Sequence, residues 1–245
     1  MVPLPAALLW TGPDDHVLVI VGHHIAADGA SLAPLARDLI VAYSARRSGT
    51  LPSWEPLPVQ YADFSVWQRR LLGSAEDPDS LMSRQLQYWR EVLADLPEVS
   101  ALPLDRNRPV TRSLAGATAA FPIDSGLHRK LLLLAREHNA TLFMVMHAAL
   151  AVLLSRMTGS GDVAIGTPIA GRGEAALDDL VGMFVNTLVL RTPVESEDVF
   201  TDVLARARDT DLGASGHTDV PFESVVDELA PGRSTSHSPL FQVLL

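Results

Sequence analysis

Two adjacent imidazoles and a nearby carboxylate make His23-His24-Ile25-Ala26-Ala27-Asp28-Gly29 the densest group of reactive side chains in the chain. An imidazole titrates near neutrality, so one of these histidines could take a proton from an attacking nucleophile. A metal site is a second reading. The other histidines, at positions 16, 128, 138, 147, 217 and 237, show no ligand spacing that would complete one. A third reading makes both histidines satisfied core residues beside a turn. Neighbouring residues on an extended segment face opposite ways, so the pattern predicts one imidazole turned into the protein and one turned out to a cavity. Proton transfer needs only one. The chain has no cysteine, which removes disulfides, thiolate metal ligands and a thiol nucleophile.

The elements around this group explain how it could be held. Val17 to Gly22 is a short β-branched apolar run that reads as a strand, preceded by a turn at Gly12-Pro13-Asp14-Asp15 and a strand from Ala6 to Trp10. The three together read as a hairpin. After the motif, Leu32, Leu35, Ala36, Leu39, Ile40 and Tyr43 recur at helical spacing, with Ser31 placed to cap, Pro34 in the first turn and Arg46-Arg47 at the end. The histidines therefore sit at a strand-to-helix junction, where a fixed backbone meets an open loop.

Further along, proline-rich Leu51 to Val59 reads as an extended loop, and Tyr61 to Leu72 as a helix. Ser80 caps a helix with Met82, Leu86, Trp89, Leu93 and Leu96 on one face. Pro97 to Ser113 is aperiodic and reads as a linker. Ala117 to Ile123 alternates weakly as a strand; Ser125 to His138 and Leu142 to Met157 read as helices, the second apolar nearly all round. Asp162 to Ile169 and Met183 to Arg191 read as strands flanking a glycine-rich acidic loop, Val199 to Leu212 and Phe222 to Leu229 as helices, and Pro239 to Leu245 as a strand. Strands and helices without strict alternation indicate an α+β sandwich. The divisions expected are 1–72, a crossover helix and linker over 73–112, and 113–245.

At 245 residues and 47% hydrophobic, the chain can bury one large core or two small ones. A formal charge of −10 with no basic run longer than a pair argues against nucleic acid or an anionic membrane as partner. The N-terminus lacks a signal-peptide pattern and the most apolar helix carries His147, so a cytoplasmic protein is expected.

His23 to Gly29 matches the HHxxxDG motif of condensation domains of nonribosomal peptide synthetases, within the chloramphenicol acetyltransferase-like superfamily. The resemblance continues in the family's order. Tyr61 to Trp67 resembles YxDFAVW; Ile165 to Arg172 with Val181 to Thr187 resembles IGTPxAGR and GxFVNT; His217 to Glu223 resembles HQDxPFE; Ser238 to Val243 resembles HPLFQV. These motifs span nearly the whole chain. The fold implied is a chloramphenicol-acetyltransferase-like two-layer sandwich, with part of the donor-side subdomain and most of the acceptor-side one.

The resemblance implies amide formation between an acyl or peptidyl thioester and an aminoacyl thioester. Donor and acceptor peptidyl carrier proteins deliver these on 4′-phosphopantetheine arms, beside an adenylation domain. His24 is the catalytic residue implied, as a general base or as a group that positions the amine and stabilises the intermediate. His23, Asp28 and Gly29 are structural, Gly29 letting the chain turn into the helix, and Asn186 lies near the tunnel. Ala30 stands where the family often has tryptophan, and Asn107 where it often has proline. Asp28 is expected to pair with an arginine from the family's N-terminal portion, a motif nothing here matches. The chain thus reads as N-terminally truncated, self-associating and inactive alone. No cofactor or metal bound to the chain itself is expected. A stand-alone acyltransferase using coenzyme A and a non-catalytic carrier-binding module are the alternatives.

Overall fold

A computed structural model describes residues 4–111, 113, 115–229, 232 and 234–245. The order of elements is β1 (Ala6–Trp10), β2 (His16–Ile20), α1 (Leu32–Arg47), α2 (Tyr61–Leu72), α3 (Leu81–Val92), α4 (Ser125–Glu137), α5 (Leu142–Thr158), β3 (Asp162–Ile169), β4 (Asn186–Pro193), α6 (Phe200–Ser215) and α7 (Phe222–Leu229). Among the described residues no single helix is long and apolar enough to cross a membrane.

The chain divides into two compact units, and the division is not sequential. One unit joins residues 1–73 to the segment 170–186; the other holds 74–169 and 187–245. The observed units therefore differ from the segments 1–72, 73–112 and 113–245. Helix α3 belongs to the second unit, because Leu86, Trp89 and Leu93 pack with Leu188, Val189, Leu190 and Val225. The loop 170–186 belongs to the first, for reasons its hydrogen bonds supply below.

In the first unit β1 and β2 pair antiparallel, Ala6 opposite Ile20 and Trp10 opposite His16, as the hairpin punctuation predicts. The apolar side chains that define α1 in the sequence are not its buried face. Leu32, Ile40 and Tyr43 are each about two-thirds exposed, and Trp10 on β1 is 80% exposed. The core of this unit lies elsewhere, in Phe64, Leu177, Leu180 and Phe184 with Tyr61 and Val59 against them. Ser31 stands at the N-cap position of α1 but has helical dihedrals and makes no capping bond, so the sequence expectation of a Ser31 cap is not met. Its hydroxyl is engaged in tertiary bonds instead.

The second unit is built on α5. Ala148 and Ala151 are fully buried: the small side chain of Ala148 lets α6 approach through Val203, Leu204 and Ala207, and Ala151 packs with Val163 and Ile165 of β3. Strands β3 and β4 pair beneath, and Arg191 ties them by donating from Nε and Nη2 to Asp162 at 2.8 and 2.7 Å. The same guanidinium donates to Val92 O, satisfying a carbonyl at the end of α3. Two expected strands are absent. Ala117 to Ile123 is exposed and irregular; it has little to bury, and Pro122 removes a ladder donor. Pro239 to Leu245 is interrupted at Leu240, whose φ is 64°, and only its end pairs, in a parallel bridge between Gly166 and Leu244.

A buried polar triad crosses this second core. His147 Nδ1 on α5 lies 2.8 Å from Asp211 Oδ1 on α6, and His147 Nε2 lies 3.3 Å from Thr192 Oγ1 on β4. All three residues are nearly or wholly inaccessible, so the arrangement of hydroxyl, imidazole and carboxylate is structural rather than open to substrate. Removing one partner leaves the other buried and unpaired. His147→Ala should therefore destabilise by about 3 kcal/mol or more, while the double change His147→Leu with Asp211→Leu should recover much of that loss. Calorimetric unfolding checks both, and an unchanged melting temperature in His147→Ala would refute the account.

Candidate functional site

The motif of the first unit is organised by Asp28, whose side chain is fully buried. Burying a carboxylate is tolerable only when its oxygens are supplied with donors. Oδ1 accepts from Ser31 N at 2.9 Å, Ser31 Oγ at 2.8 Å and Arg172 Nη2 at 3.1 Å; Oδ2 accepts from Phe184 N at 3.0 Å. Burial pushes the Asp28 carboxyl upward, but the bonds from Ser31, Phe184 and Arg172 together outweigh it and hold the group below its ordinary range.

Arg172 is the partner of Asp28, where the resemblance implied an arginine from the family's N-terminal portion. It lies inside the IGTPxAGR stretch of this same chain, with its side chain 94% buried, and pairs with Asp28 across 144 positions of sequence. Its Nη1 donates to the carbonyls of Leu177 and Leu180, and its guanidinium stacks 4.0 Å from the centre of the Phe184 ring. The signal was available: a buried aspartate requires a cation or several donors, and Arg172 sits in a glycine-flanked motif that has no other charge until Glu174.

Backbone bonds complete the clamp. Asp28 N donates to Gly182 O at 3.0 Å, and Tyr61 Oη donates to Met183 O at 2.7 Å. Burial, reinforced by the nearby Asp28 charge, raises the Tyr61 phenol pKa and keeps that donor protonated. Two glycines are required by this packing. A Cβ at Gly171, where φ is +63°, would meet Phe184 O at 1.8 Å, and one at Gly182 would meet the Tyr61 ring at 2.3 Å. Gly29 is different. Its φ is not positive and nothing lies within 4 Å of where its Cβ would be, so the expected conformational need for glycine at this junction is not found.

His23 and His24 are both exposed, which corrects the expectation that one turns inward. Residues 24–26 form a turn rather than extended chain, so the alternation of faces does not apply. His23 Nδ1 accepts from Ile25 N at 3.1 Å. Ala26 N donates to His23 O at 2.8 Å, closing the turn. Ala30 is exposed beside this turn, and Asn186 is half-buried at the start of β4, two positions after the Phe184 amide that Asp28 holds. Among the described residues no cluster of three or more histidines and carboxylates is placed to hold a metal.

Comparison with known proteins gives this geometry its class. The family model of the condensation domain matches residues 2–245. The chain belongs to the condensation-domain family. A probable non-canonical nonribosomal peptide synthetase, CymA, of Salinispora arenicola is 58% identical over 244 residues, which cover 100% of this chain and 3% of that protein. The X-domain from teicoplanin biosynthesis, solved in complex with OxyB, superposes with a TM-score of 0.94 at 36% identity, covering 99% of this chain and 53% of that one. The first condensation domain of the CDA synthetase superposes with a TM-score of 0.70 at 26% identity, covering 95% and 50%. The mixed α/β architecture is thus the chloramphenicol-acetyltransferase-like fold of condensation domains, and the chain spans about half the length of the solved domains it matches.

Asp28→Asn should act first on stability, because its amide would place a donor against either Arg172 or the Phe184 N–H. The lowered carboxyl contributes stability that is fully present above the ordinary carboxylate value of 3.8 and is lost as pH falls through the folded value. The wild-type melting temperature should therefore fall steeply on the acid side, and Asp28→Asn should start lower and fall less. Parallel acid limbs in the two proteins would contradict this.

Proposed function

We propose that this chain carries the amide-forming site of a nonribosomal peptide synthetase, with His24 acting on the amine of an acceptor thioester as it attacks the donor thioester. The observation that carries the reading is the pairing of an exposed imidazole with a buried anchor. His24 stands open to solvent on a turn whose far end, Asp28, is fixed by donors from Ser31, Phe184 and Arg172. A base or positioning group needs both features: access to the reacting nitrogen, and a backbone that does not wander. No cysteine or carboxylate of the chain has to take part.

In this reading the substrates arrive on 4′-phosphopantetheine arms of donor and acceptor carrier proteins, neighbours of the kind that condensation domains work with, alongside an adenylation domain. Residues 1–72 belong to the donor side and 113–245 to the acceptor side, and Ala30 and Asn186 border the substrate path. The exposed apolar face of β1 and α1 takes a further part of the same domain. The isolated chain should accordingly self-associate, and light scattering showing a stable monomer would remove that expectation.

The X-domain likeness favours one second reading. That relative was solved in a complex with a partner protein, and it superposes more closely than the CDA condensation domain does. In that reading the chain recruits a partner and does not turn over, and the test separates the two. In the synthetase polypeptide carrying this chain, with both carriers loaded, His24→Ala should lower amide formation by roughly 10²- to 10⁴-fold while the melting temperature holds. Mass spectrometry of the carrier-bound product reads the rate. Equal rates in wild type and His24→Ala would sink the catalytic role of His24.

A further inference from the structure

We propose that Ser31 is a positioning residue for amide formation, its hydroxyl setting the His23–Gly29 turn against the backbone of Gly182; this rests on the condensation reading of His24. The residue is wholly inaccessible, and five polar atoms surround its Oγ. Asp28 Oδ1 is at 2.8 Å, Gly182 O at 2.9 Å, Arg172 Nη2 at 3.0 Å, Gly182 N at 3.1 Å and Asp28 N at 3.3 Å. A hydroxyl has one proton to give and two lone pairs to receive. Here the proton lies between the Asp28 carboxylate and the Gly182 carbonyl, and three N–H groups compete for the lone pairs. Its capacity is fully taken up at a point where two segments 151 positions apart in sequence meet.

Among the other members of the clamp, the bond from Asp28 N to Gly182 O also joins the two backbones, but it reaches Gly182 on its carbonyl side only. The Asp28–Arg172 pair joins two flexible side chains and would survive small shifts of either backbone. Ser31 instead contacts the Gly182 peptide on both its N–H and its C=O side, and the Asp28 N–H as well, so it sets backbone against backbone. Without Oγ, Arg172 Nη2 keeps Asp28, and Gly182 O keeps the Asp28 N–H. The buried Gly182 N–H loses the acceptor that the hydroxyl provides, which is costly enough to drive the segments apart. The turn bearing His24 then moves relative to the chain leading through Phe184 to Asn186. Ser31 does not touch substrate, and its effect runs through the place of His24. A misplacement of about 1 Å in a reacting group can cost on the order of 10²-fold in rate, so the effect belongs on kcat rather than on KM.

The test compares wild type with Ser31→Ala in the synthetase polypeptide, by amide deuterium exchange and by steady-state kinetics with loaded carriers. Exchange of the amides in 23–31 and 181–186 should rise at least about tenfold in Ser31→Ala while those of α5 and α6 stay unchanged. The kcat should fall roughly 10- to 100-fold with KM for both carriers within about twofold. Unchanged exchange in the two segments, a rise spread equally over α5 and α6, or a wild-type kcat despite local loosening would each overturn the proposal. If wild type itself forms no amide, the condensation reading falls, and the local exchange result decides the positional claim by itself.

Discussion

The structure of the first unit depends on where a single carboxylate can find enough donors. Asp28 is buried beside a chain turn, and its own neighbourhood supplies only Ser31; the rest come from Arg172 and Phe184, roughly 150 positions away in sequence. That demand pulls residues 170–186 out of the run of the second unit and folds them onto the first, which is why the compact units are discontinuous in sequence. Once there, the segment contributes more than charge. Leu177, Leu180 and Phe184 become the larger part of the apolar core of the first unit, with Phe64 from α2. Polar satisfaction and hydrophobic burial select the same arrangement.

The two units reach rigidity by different means. In the second, the largely apolar helix α5 buries Ala148 against α6 and Ala151 against β3, and its buried polar residue, His147, is answered by Asp211 and Thr192. In the first, little apolar surface of the hairpin and α1 is buried by the described chain, and precision comes from hydrogen bonds to the backbone of residues 182–184. Such networks carry geometric information that aliphatic packing lacks, since each bond fixes a direction as well as a distance.

Much of this was legible in the residues. Helical spacing and end signals placed α1 and α3 within a few positions of where they stand. What periodicity could not say is which face is covered. The stripe from Leu32 to Tyr43 marks α1 correctly as a helix, yet that stripe is exposed, because spacing records amphipathicity and not the identity of the partner. Local rules also misassigned Ser31. A serine before an apolar run is read as a cap, whereas tertiary donors and acceptors claimed its hydroxyl, and the helix starts without a side-chain cap. Arg172 stood in a motif already singled out, but its pairing is a long-range fact that spacing along the chain does not encode.

The placement of the histidines follows from the same division of labour. A group that acts on an incoming nitrogen must be reachable, and reachable side chains on short loops are ordinarily mobile. Burying the imidazole would fix it at the expense of access. Here the chain separates the two requirements by five residues or fewer: His23 and His24 are exposed, and Asp28 is sealed. The intervening turn is closed by Ala26 N to His23 O and by Ile25 N to His23 Nδ1, so order at Asp28 passes along a short, internally bonded arc to the imidazoles. The bond that His23 Nδ1 accepts from Ile25 N is part of that arc, and it gives the first histidine a role in the backbone of the turn, which leaves the ring of the second available for chemistry.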